Sequence, residues 1–393
     1  MNYSGAVSIV GIGTSGLSRA SADTPVTMAA HAVSQALADA GLERKDIDGL
    51  INHIGSPRGP DYDRAAGLLG LEVRFASQTW DHGRFASTVL QHAAMALTWG
   101  LADYVLCLAA YASPRFGKHG SKERPDFRES LRDGGGPHAE TPHTGLTAPS
   151  GATALVTQRY FHKYGIDPAK LAAIPLAFRR HARMNPGAVM QGELDLETYL
   201  KSRYIIEPLR LLDCSVIVDG AVAMILTKTE RARDCPKSPV KLLGVQGLHA
   251  GPNEFIFGLP GLGIDQARVF DEQRRWQDQL VYRMAGVGPK DIGTLHIYDA
   301  FSPQLLFVLE RFGFCAPGAA ADWVQGGRIE LGGELPCNTS GGHLSEGQLN
   351  GWGQMMEIVK QLRGEAGTRQ IKDLRLAQWA TTVGDSIIFG LDK

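Results

Sequence analysis

An internal repeat limits the folds open to this chain more than any other feature of the sequence. The stretch Ala40-Gly-Leu-Glu-Arg-Lys-Asp-Ile-Asp-Gly-Leu50 matches Ala285-Gly-Val-Gly-Pro-Lys-Asp-Ile-Gly-Thr-Leu295 in register at Ala, Gly, Lys, Asp, Ile and Leu. In each copy the pattern predicts a helix before the glycine and a strand after the turn. Units of helix, glycine, turn and strand share composition, so a chance match is the alternative explanation; we favour duplication of one α/β unit.

Apolar runs and amphipathic segments alternate along the chain, which indicates an α/β protein. Strands are predicted at 6–12, 49–53, 104–110 and 219–226, and helices at 24–40, at about 86–99 and through much of 152–213. Residues 112–150 are rich in glycine and proline and lack periodicity, as is typical of a long loop or cap at a binding site. The duplication predicts an N-terminal half at 1–228, with a cap or loop insertion at about 112–213, and a C-terminal half at 229–393.

Composition argues against several classes of protein. The 393 residues include 40 basic and 41 acidic side chains, so the balance of charge predicts no nucleic-acid partner. Five scattered cysteines, without a CxxC pair or a Cys/His cluster, argue against a disulfide framework or a metal site and fit a reducing cytoplasm. No apolar run approaches about 18 residues, so we expect no membrane span and a cytoplasmic location.

Two segments of the second half combine the features expected of a ligand site. A glycine-rich stretch from Leu335 to Gly353 displays His343 and Gln348 and leads into a predicted helix. Glycines allow the backbone to approach a ligand closely, and the N–H groups that open a helix suit an oxyanion or a thioester oxygen. Upstream, the apolar strand Leu295-His-Ile-Tyr-Asp-Ala-Phe301 ends in the titratable pair Tyr298 and Asp299.

These segments resemble the thiolase superfamily over nearly the whole chain. With Asp213-Cys-Ser, Asp219-Gly-Ala-Val-Ala and Glu310-Arg-Phe-Gly-Phe-Cys315, they are most similar to the sterol-carrier-protein branch and its thiolase-like aldolases, the lipid-transfer proteins. The resemblance implies an α/β thiolase fold, in which duplicated α-β-α-β-α halves form a five-layered sandwich, and it implies a homodimer. It also implies an acyl-CoA substrate and no covalently bound cofactor.

The thiolase nucleophile is missing from this chain. Thiolases attack the acyl carbonyl with a cysteine in a Cys-Ala-Ser-Gly context, and the corresponding stretch Trp80-Asp-His-Gly-Arg-Phe-Ala-Ser-Thr-Val-Leu90 has Gly83 at that position. The histidine of the family's Gly-His-Pro motif is Gln348, and the Cys-x-Gly motif becomes Thr381-Thr-Val-Gly-Asp385. Covalent acyl transfer by the usual route is therefore excluded, because glycine cannot act as a nucleophile.

Retro-aldol cleavage of a β-hydroxyacyl-CoA remains possible, because it needs proton transfer and a stabilised enolate but no thiolate. Aldolase-type relatives carry one tyrosine in a Tyr-Asp-Ala-Phe motif and a second near the Gly-His-Pro position. Tyr298 matches the first, which makes it the predicted acid/base; its alternative is a packed anchor at a strand end. Gln348 does not match the second, so His343 is the predicted substitute, with Gln348 offering an amide hydrogen bond.

The remaining candidates are predicted to orient or bind. Asp299 is expected to orient the glycine-rich loop or to cap the helix that follows it. Ser340, Gly341 and Gly342 are predicted to contact the thioester, together with Gly83 and His82 beside the vanished nucleophile. The alternative for His82 is a packed core residue.

The sequence thus predicts a cysteine-independent carbon–carbon lyase acting on a β-hydroxyacyl-CoA. A steroid side-chain acyl-CoA is the substrate of the nearest resemblance, and an aromatic or polyketide-like acyl group remains open. Relatives of this kind use a small acyl-CoA-associated partner with an OB-fold and a zinc ribbon. The alternatives are a non-catalytic acyl-CoA-binding or scaffolding subunit, and an acyltransferase that uses Cys337.

Overall fold

The computed structural model describes residues 4–53, 55, 59–79, 86–112, 149–249 and 276–391. Its strands are β1 (Val7–Ser18), β2 (Gly49–Asn52), β3 (Phe75–Gln78), β4 (Tyr104–Tyr111), β5 (Tyr204–Ile206), β6 (Leu209–Arg210), β7 (Asp219–Lys228), β8 (Val240–Gln246), β9 (Thr294–Ile297), β10 (Leu376–Ala380) and β11 (Ser386–Gly390). Its helices are α1 (Pro25–Ala40), α2 (Tyr62–Leu69), α3 (Ala86–Thr98), α4 (Pro149–Tyr164), α5 (Ala173–Arg183), α6 (Leu196–Lys201), α7 (Leu280–Ala285), α8 (Pro303–Arg311), α9 (Ala320–Trp323), α10 (Gly342–Ser345) and α11 (Trp352–Arg363).

The two repeated stretches have the same local structure. α1 and α7 are followed by Gly41 and Gly286, whose φ angles of 67° and 69° lie in the left-handed region that glycine adopts without a Cβ penalty. A short 3₁₀ turn follows in each copy, and then β2 and β9 begin at equivalent positions of the repeat. The matched glycines therefore end the helices.

The matched aspartates explain the turns. Asp46 accepts the backbone N–H of Glu43 at 2.8 Å, and Asp291 accepts that of Gly288 at 2.8 Å. Each carboxylate thereby satisfies a donor that the start of a helical turn leaves without a backbone partner. The residues shared by the two copies are thus those that build the connection between helix and strand.

Nine of the described strands form one sheet in the order β3-β2-β4-β7-β1-β8-β11-β10-β9, and β5 and β6 pair separately. The order is similar on the two sides of the β1–β8 pair. Going outward from it, β1, β7, β4 and β2 of the first half correspond to β8, β11, β10 and β9 of the second. The halves join where β1 pairs with β8 at Ser8–Lys241 and Ile9–Val240. A parallel bridge between Leu295 and Cys337 lies beside β9, where β3 lies beside β2 in the first half.

The strand period of two residues gives the sheet a core on each face. In β4, Leu106 and Leu108 belong to an outer core with α1 and α2, whereas Val105 and Cys107 face an inner core. That inner core contains α3 and α11 and the inward side chains of β10 and β11. A second outer core packs α5, α7 and α8 on the other half. The two halves of this one sheet therefore lie on opposite sides of the inner helices α3 and α11, and the layers run helix, half-sheet, helix, half-sheet, helix.

The predicted cap is described in part. Its residues 149–213 form α4, α5, α6 and the β5–β6 hairpin, whereas the stretch at 113–148 lies outside the described residues. The predicted boundary between the halves, at residue 228, coincides with the end of β7, and the division into halves stays a prediction. Within the described ranges, none of the helices is long and apolar enough to cross a membrane.

Candidate active site

Three of the predicted site residues meet at the carboxyl end of β9. Tyr298 follows the strand and is 8% exposed, and its hydroxyl oxygen accepts a hydrogen bond from Gln348 Nε2 at 3.3 Å. The rings of Tyr298 and His343 pack edge to face, and their centroids are 4.9 Å apart. The structure thus brings together the end of a strand and the glycine-rich loop.

Gln348 is held from three directions. Its side-chain Oε1 accepts the Ser215 hydroxyl at 2.9 Å, and its backbone N–H donates to the carbonyl of Val216 at 2.7 Å. Its own carbonyl accepts the hydroxyl of Tyr111, which ends β4 in the other half. Sequence reasoning missed both hydroxyls: the Asp213-Cys-Ser motif and the end of β4 were signals for them, but without an assigned role.

Asp299 holds the glycine-rich loop. Its fully buried carboxylate accepts the backbone N–H groups of His343 at 3.0 Å and Leu344 at 3.3 Å, and the side-chain amide of Gln354 at 2.8 Å. Burial raises the pKa of Asp299 to about 8, against these donors, which favour the charged form. Of the two predicted roles, this geometry favours orientation of the loop, since the carboxylate binds amides of α10 and not those of α8.

His343 packs behind Tyr298 with one ring nitrogen already engaged. Its Nε2 accepts the backbone N–H of Gly351 at 2.9 Å, and its Nδ1 lies 3.5 Å from the Asp299 carboxylate. Burial lowers the pKa of His343 to about 3, so the ring is neutral at neutral pH. In this arrangement His343 supports the loop and the tyrosine ring. The arrangement does not favour the predicted role of His343 in proton transfer, in place of the second tyrosine of the relatives.

The absence of a side chain at Gly342 makes room for the carboxylate of Asp299. A Cβ on Gly342, which has a φ of 59°, would lie 2.3 Å from Asp299 Oδ2. The N–H of Gly341 donates to the carbonyl of Asn338 at 2.9 Å, and the Ser340 hydroxyl donates to Glu346 at 2.5 Å. All three loop residues are buried. Their described contacts are with the protein itself, and their contact with a thioester stays a prediction.

The described ends of the two segments that lack the thiolase cysteines share a buried polar cluster. Asp385 accepts hydrogen bonds from the hydroxyls of Ser87, in the first turn of α3, and Thr381. Burial raises the pKa of Asp385. The two segments that carry cysteine chemistry in thiolases are thereby bonded to each other here. The predicted substrate-binding residues His82 and Gly83 lie outside the described residues.

Cys337 is poorly suited to be a displaced nucleophile. Its side chain is fully buried, and its thiol donates to the carbonyl of Leu335 at 3.2 Å. Burial raises the pKa of this thiol, which disfavours the reactive thiolate. Among the residues that the structure describes, no group of three or more His, Cys, Asp or Glu side chains is arranged to hold a metal ion.

Known sequences similar to this chain include lyases and aldolases. The profile of the family described as Thiolase C-terminal domain-like matches residues 275–386. The chain is 36% identical over 373 residues to the 17-hydroxy-3-oxo-4-pregnene-20-carboxyl-CoA lyase of Mycobacterium tuberculosis, with 92% of each protein covered. It is 34% identical over 369 residues to the steroid side-chain-cleaving aldolase of Thermomonospora curvata, which covers 92% of this chain and 91% of that protein.

Solved structures share the architecture. The Ltp2-ChsH2(DUF35) aldolase matches with a TM-score of 0.86 and 32% identity, and all of both chains is covered. The human mitochondrial 3-ketoacyl-CoA thiolase in complex with CoA matches with a TM-score of 0.67, covering 100% of this chain and 99% of that one, at 14% identity. The thiolase fold predicted from the sequence is therefore confirmed.

Proposed function

The chain belongs to the family of thiolase-like aldolases, and we propose that it is a carbon–carbon lyase that cleaves a β-hydroxyacyl-CoA by a retro-aldol reaction. The observation that carries the proposal is the hydrogen bond from the Gln348 amide to the Tyr298 hydroxyl, in a chain that has Gly83 at the position of the nucleophile. Gly83 at the nucleophile position and the buried Cys337 support acid–base chemistry as the route.

The reaction balances without an oxidant or a nucleophile. The proton of the β-hydroxyl leaves, the β-carbon becomes a carbonyl, and the electrons of the Cα–Cβ bond pass to the thioester enolate. Protonation of the enolate at Cα completes a shorter acyl-CoA. We assign the exchange of a proton with the β-oxygen to Tyr298, because an N–H directed at the tyrosine oxygen stabilises the charge that develops when the phenol loses its proton.

The other predicted catalytic residues act by holding this pair. Asp299 fixes α10 through two backbone N–H groups, and His343 packs against the tyrosine ring while it accepts the N–H of Gly351. Both are thus proposed as positioning residues. Thioester contacts by Ser340, Gly341 and Gly342, and by His82 and Gly83, stay predictions.

The substrate class follows from the named relatives. One is a lyase of a 20-carboxyl-CoA steroid, and another is an aldolase that cleaves steroid side chains. At 34–36% identity over 92% of this chain, we propose a substrate of the same class, a CoA thioester with a bulky apolar ring system. CoA is part of the substrate in this proposal, and the products are a ring ketone and a short acyl-CoA.

Two partners are proposed. The similar Ltp2-ChsH2(DUF35) aldolase carries a DUF35 protein in its name, which supports a small partner of that kind, the predicted OB-fold and zinc-ribbon protein. The predicted homodimer is supported by β3, which lies at an edge of the sheet, and by the α3 side chain Met95 and the neighbouring Trp99, which are 50% and 77% exposed. An edge strand offers unpaired backbone groups to a second copy.

The test is a cleavage assay with steroid side-chain β-hydroxyacyl-CoA thioesters, run with and without a DUF35 partner protein and without free CoA. We expect a ketone and a shorter acyl-CoA in equal amounts, with the higher rate when the partner is present. Binding without turnover in the presence of the partner would instead support a non-catalytic subunit. Turnover that requires added CoA would support an acyltransferase.

A further inference from the structure

The segment from Asp213 to Ile217 lies between the two parts of the chain that carry the proposed acid–base pair. On one side, the N–H of Ser215 donates to the carbonyl of Ala300 at 3.0 Å, two residues beyond Tyr298. On the other side, Val216 bonds with the backbone of His343 at 2.9 Å and of Gln348 at 2.7 Å. The position of Ser215 relative to both residues of the pair is therefore set by the backbone.

The base of this segment is also anchored. The carboxylate of Asp213 is fully buried and accepts the N–H of Arg210 at 2.8 Å and the Tyr199 hydroxyl at 2.9 Å. A segment held by backbone bonds on both sides and by a buried carboxylate at its start does not depend on the Ser215 hydroxyl for its path. The hydroxyl is thus available for a role beyond local structure.

A chain of two hydrogen bonds leads from Ser215 to the tyrosine. The Ser215 hydroxyl donates to Gln348 Oε1 at 2.9 Å, and Gln348 Nε2 donates to the Tyr298 oxygen at 3.3 Å. With this polarity, the amide presents its N–H side to Tyr298. In the reversed orientation, Oε1 would accept the proton of the tyrosine hydroxyl and compete with the substrate for it.

We propose that Ser215 is a positioning residue: its hydroxyl holds the Gln348 amide so that the amide N–H points at the Tyr298 hydroxyl. This proposal rests on the proposed lyase function. Donation to the amide oxygen also polarises the amide and strengthens the N–H as a donor, since hydrogen bonds in a chain reinforce one another. Neither Ser215 nor its contact with Gln348 is required by the thiolase fold, because the bonds that shape this segment are made by the backbone.

The test combines single substitutions with a double-mutant cycle, measured as kcat and KM for the wild-type complex and each variant. Ser215→Ala should lower kcat about tenfold, which corresponds to about one hydrogen bond, with KM little changed. Ser215→Thr keeps the hydroxyl and should restore most of the rate. In a Gln348→Ala background, Ser215→Ala should have no further effect, because it acts only through the amide.

The matched control is Ser202→Ala. The Ser202 hydroxyl donates to the carbonyl of Tyr199 at 2.7 Å in the same region but does not contact Gln348, so its loss should leave kcat unchanged. Full activity of Ser215→Ala, or an additive loss in the Gln348→Ala background, would overturn the positioning role alone. A wild-type complex that cleaves no β-hydroxyacyl-CoA would overturn the proposed function and this role with it.

Discussion

The strands β2 and β9 occupy equivalent places in the two halves, yet their carboxyl ends have different surroundings. His53 follows β2, is fully buried and accepts the indole N–H of Trp352 at 2.7 Å. Tyr298 follows β9 and faces the side-chain amide of Gln348. One strand end is thus packed against the inner helix layer, and the other is bonded to a loop that carries polar side chains.

Trp352, which contacts His53, and Gln348, which contacts Tyr298, belong to one segment of the chain. Gln348 lies in the loop four residues before Trp352, which begins α11, and both stand between β9 and β10. One segment therefore contacts both strand ends: its Gln348 donates to Tyr298 after β9, and its Trp352 donates to His53 after β2. The two halves thus have similar scaffolds, whereas the partners that this one segment supplies differ between the two strand ends.

The sharpest way to break this comparison is Tyr298→Phe, which keeps the ring and removes the hydroxyl. General acid–base groups contribute about 10²–10⁴-fold, so we expect kcat to fall by at least about a hundredfold while substrate still binds. The ring contact with His343 remains, so the melting temperature should barely change. A single-turnover assay and a thermal melt on the same preparation test this, and near-wild-type cleavage would reject the role.

Asp299→Asn should lower the stability of the protein. The substitution places an amide NH₂ against the donors that now face the carboxylate, so we expect the free energy of unfolding to fall by about 2–4 kcal/mol. Urea unfolding measures this change. Asp291→Asn is the matched control, because Asp291 caps an exposed turn with a single bond to Gly288. Equal, small effects of the two variants would contradict the anchoring role of Asp299.

His53→Leu tests the other strand end. It removes the acceptor of the buried Trp352 N–H, so the free energy of unfolding should fall by about 1–3 kcal/mol. The kcat of the folded protein should stay at the wild-type value, because His53 is assigned to packing. Denaturant unfolding and kcat, measured on one preparation, separate the two effects. A loss of kcat comparable to that of Tyr298→Phe would show that both strand ends take part in the reaction.

Cysteine alkylation should have the smallest effect. Cys107, Cys214 and Cys337 are buried, burial raises the pKa of each thiol, and none contacts Tyr298 or Gln348 in a described hydrogen bond. Treatment of the native protein with iodoacetamide should therefore leave cleavage largely intact. Mass spectrometry locates the labelled residues. Loss of turnover on labelling of Cys337, with the fold retained, would revive the acyltransferase hypothesis.

Much of the fold could be predicted because local chemistry determines it. Gly41 and Gly286 end helices, and Asp46 and Asp291 close turns, so the repeat predicted the same connection in both halves. The family resemblance then predicted the layers of the fold. These predictions rest on contacts within a few residues or on motifs that span the fold.

The supporting contacts could not be predicted for the opposite reason. Ser215 and Tyr111 reach Gln348 across 133 and 237 residues of sequence, and no local pattern indicates such pairs. The role of Gly342 was also ambiguous, because a missing Cβ makes room equally for a ligand or for a neighbour such as Asp299. The sequence predicts proton transfer for His343 because it cannot show that the backbone N–H of Gly351 engages the ring.

The inner core makes each half dependent on the other. It is built from α3 and the inward face of β4 in the first half and from α11 and the inward faces of β10 and β11 in the second. A half-length chain would expose one wall of this core to water, and an apolar surface of that size is covered by another molecule in stable proteins. Either half alone would therefore need a second molecule to cover this wall, and in the intact chain each half covers the wall of the other.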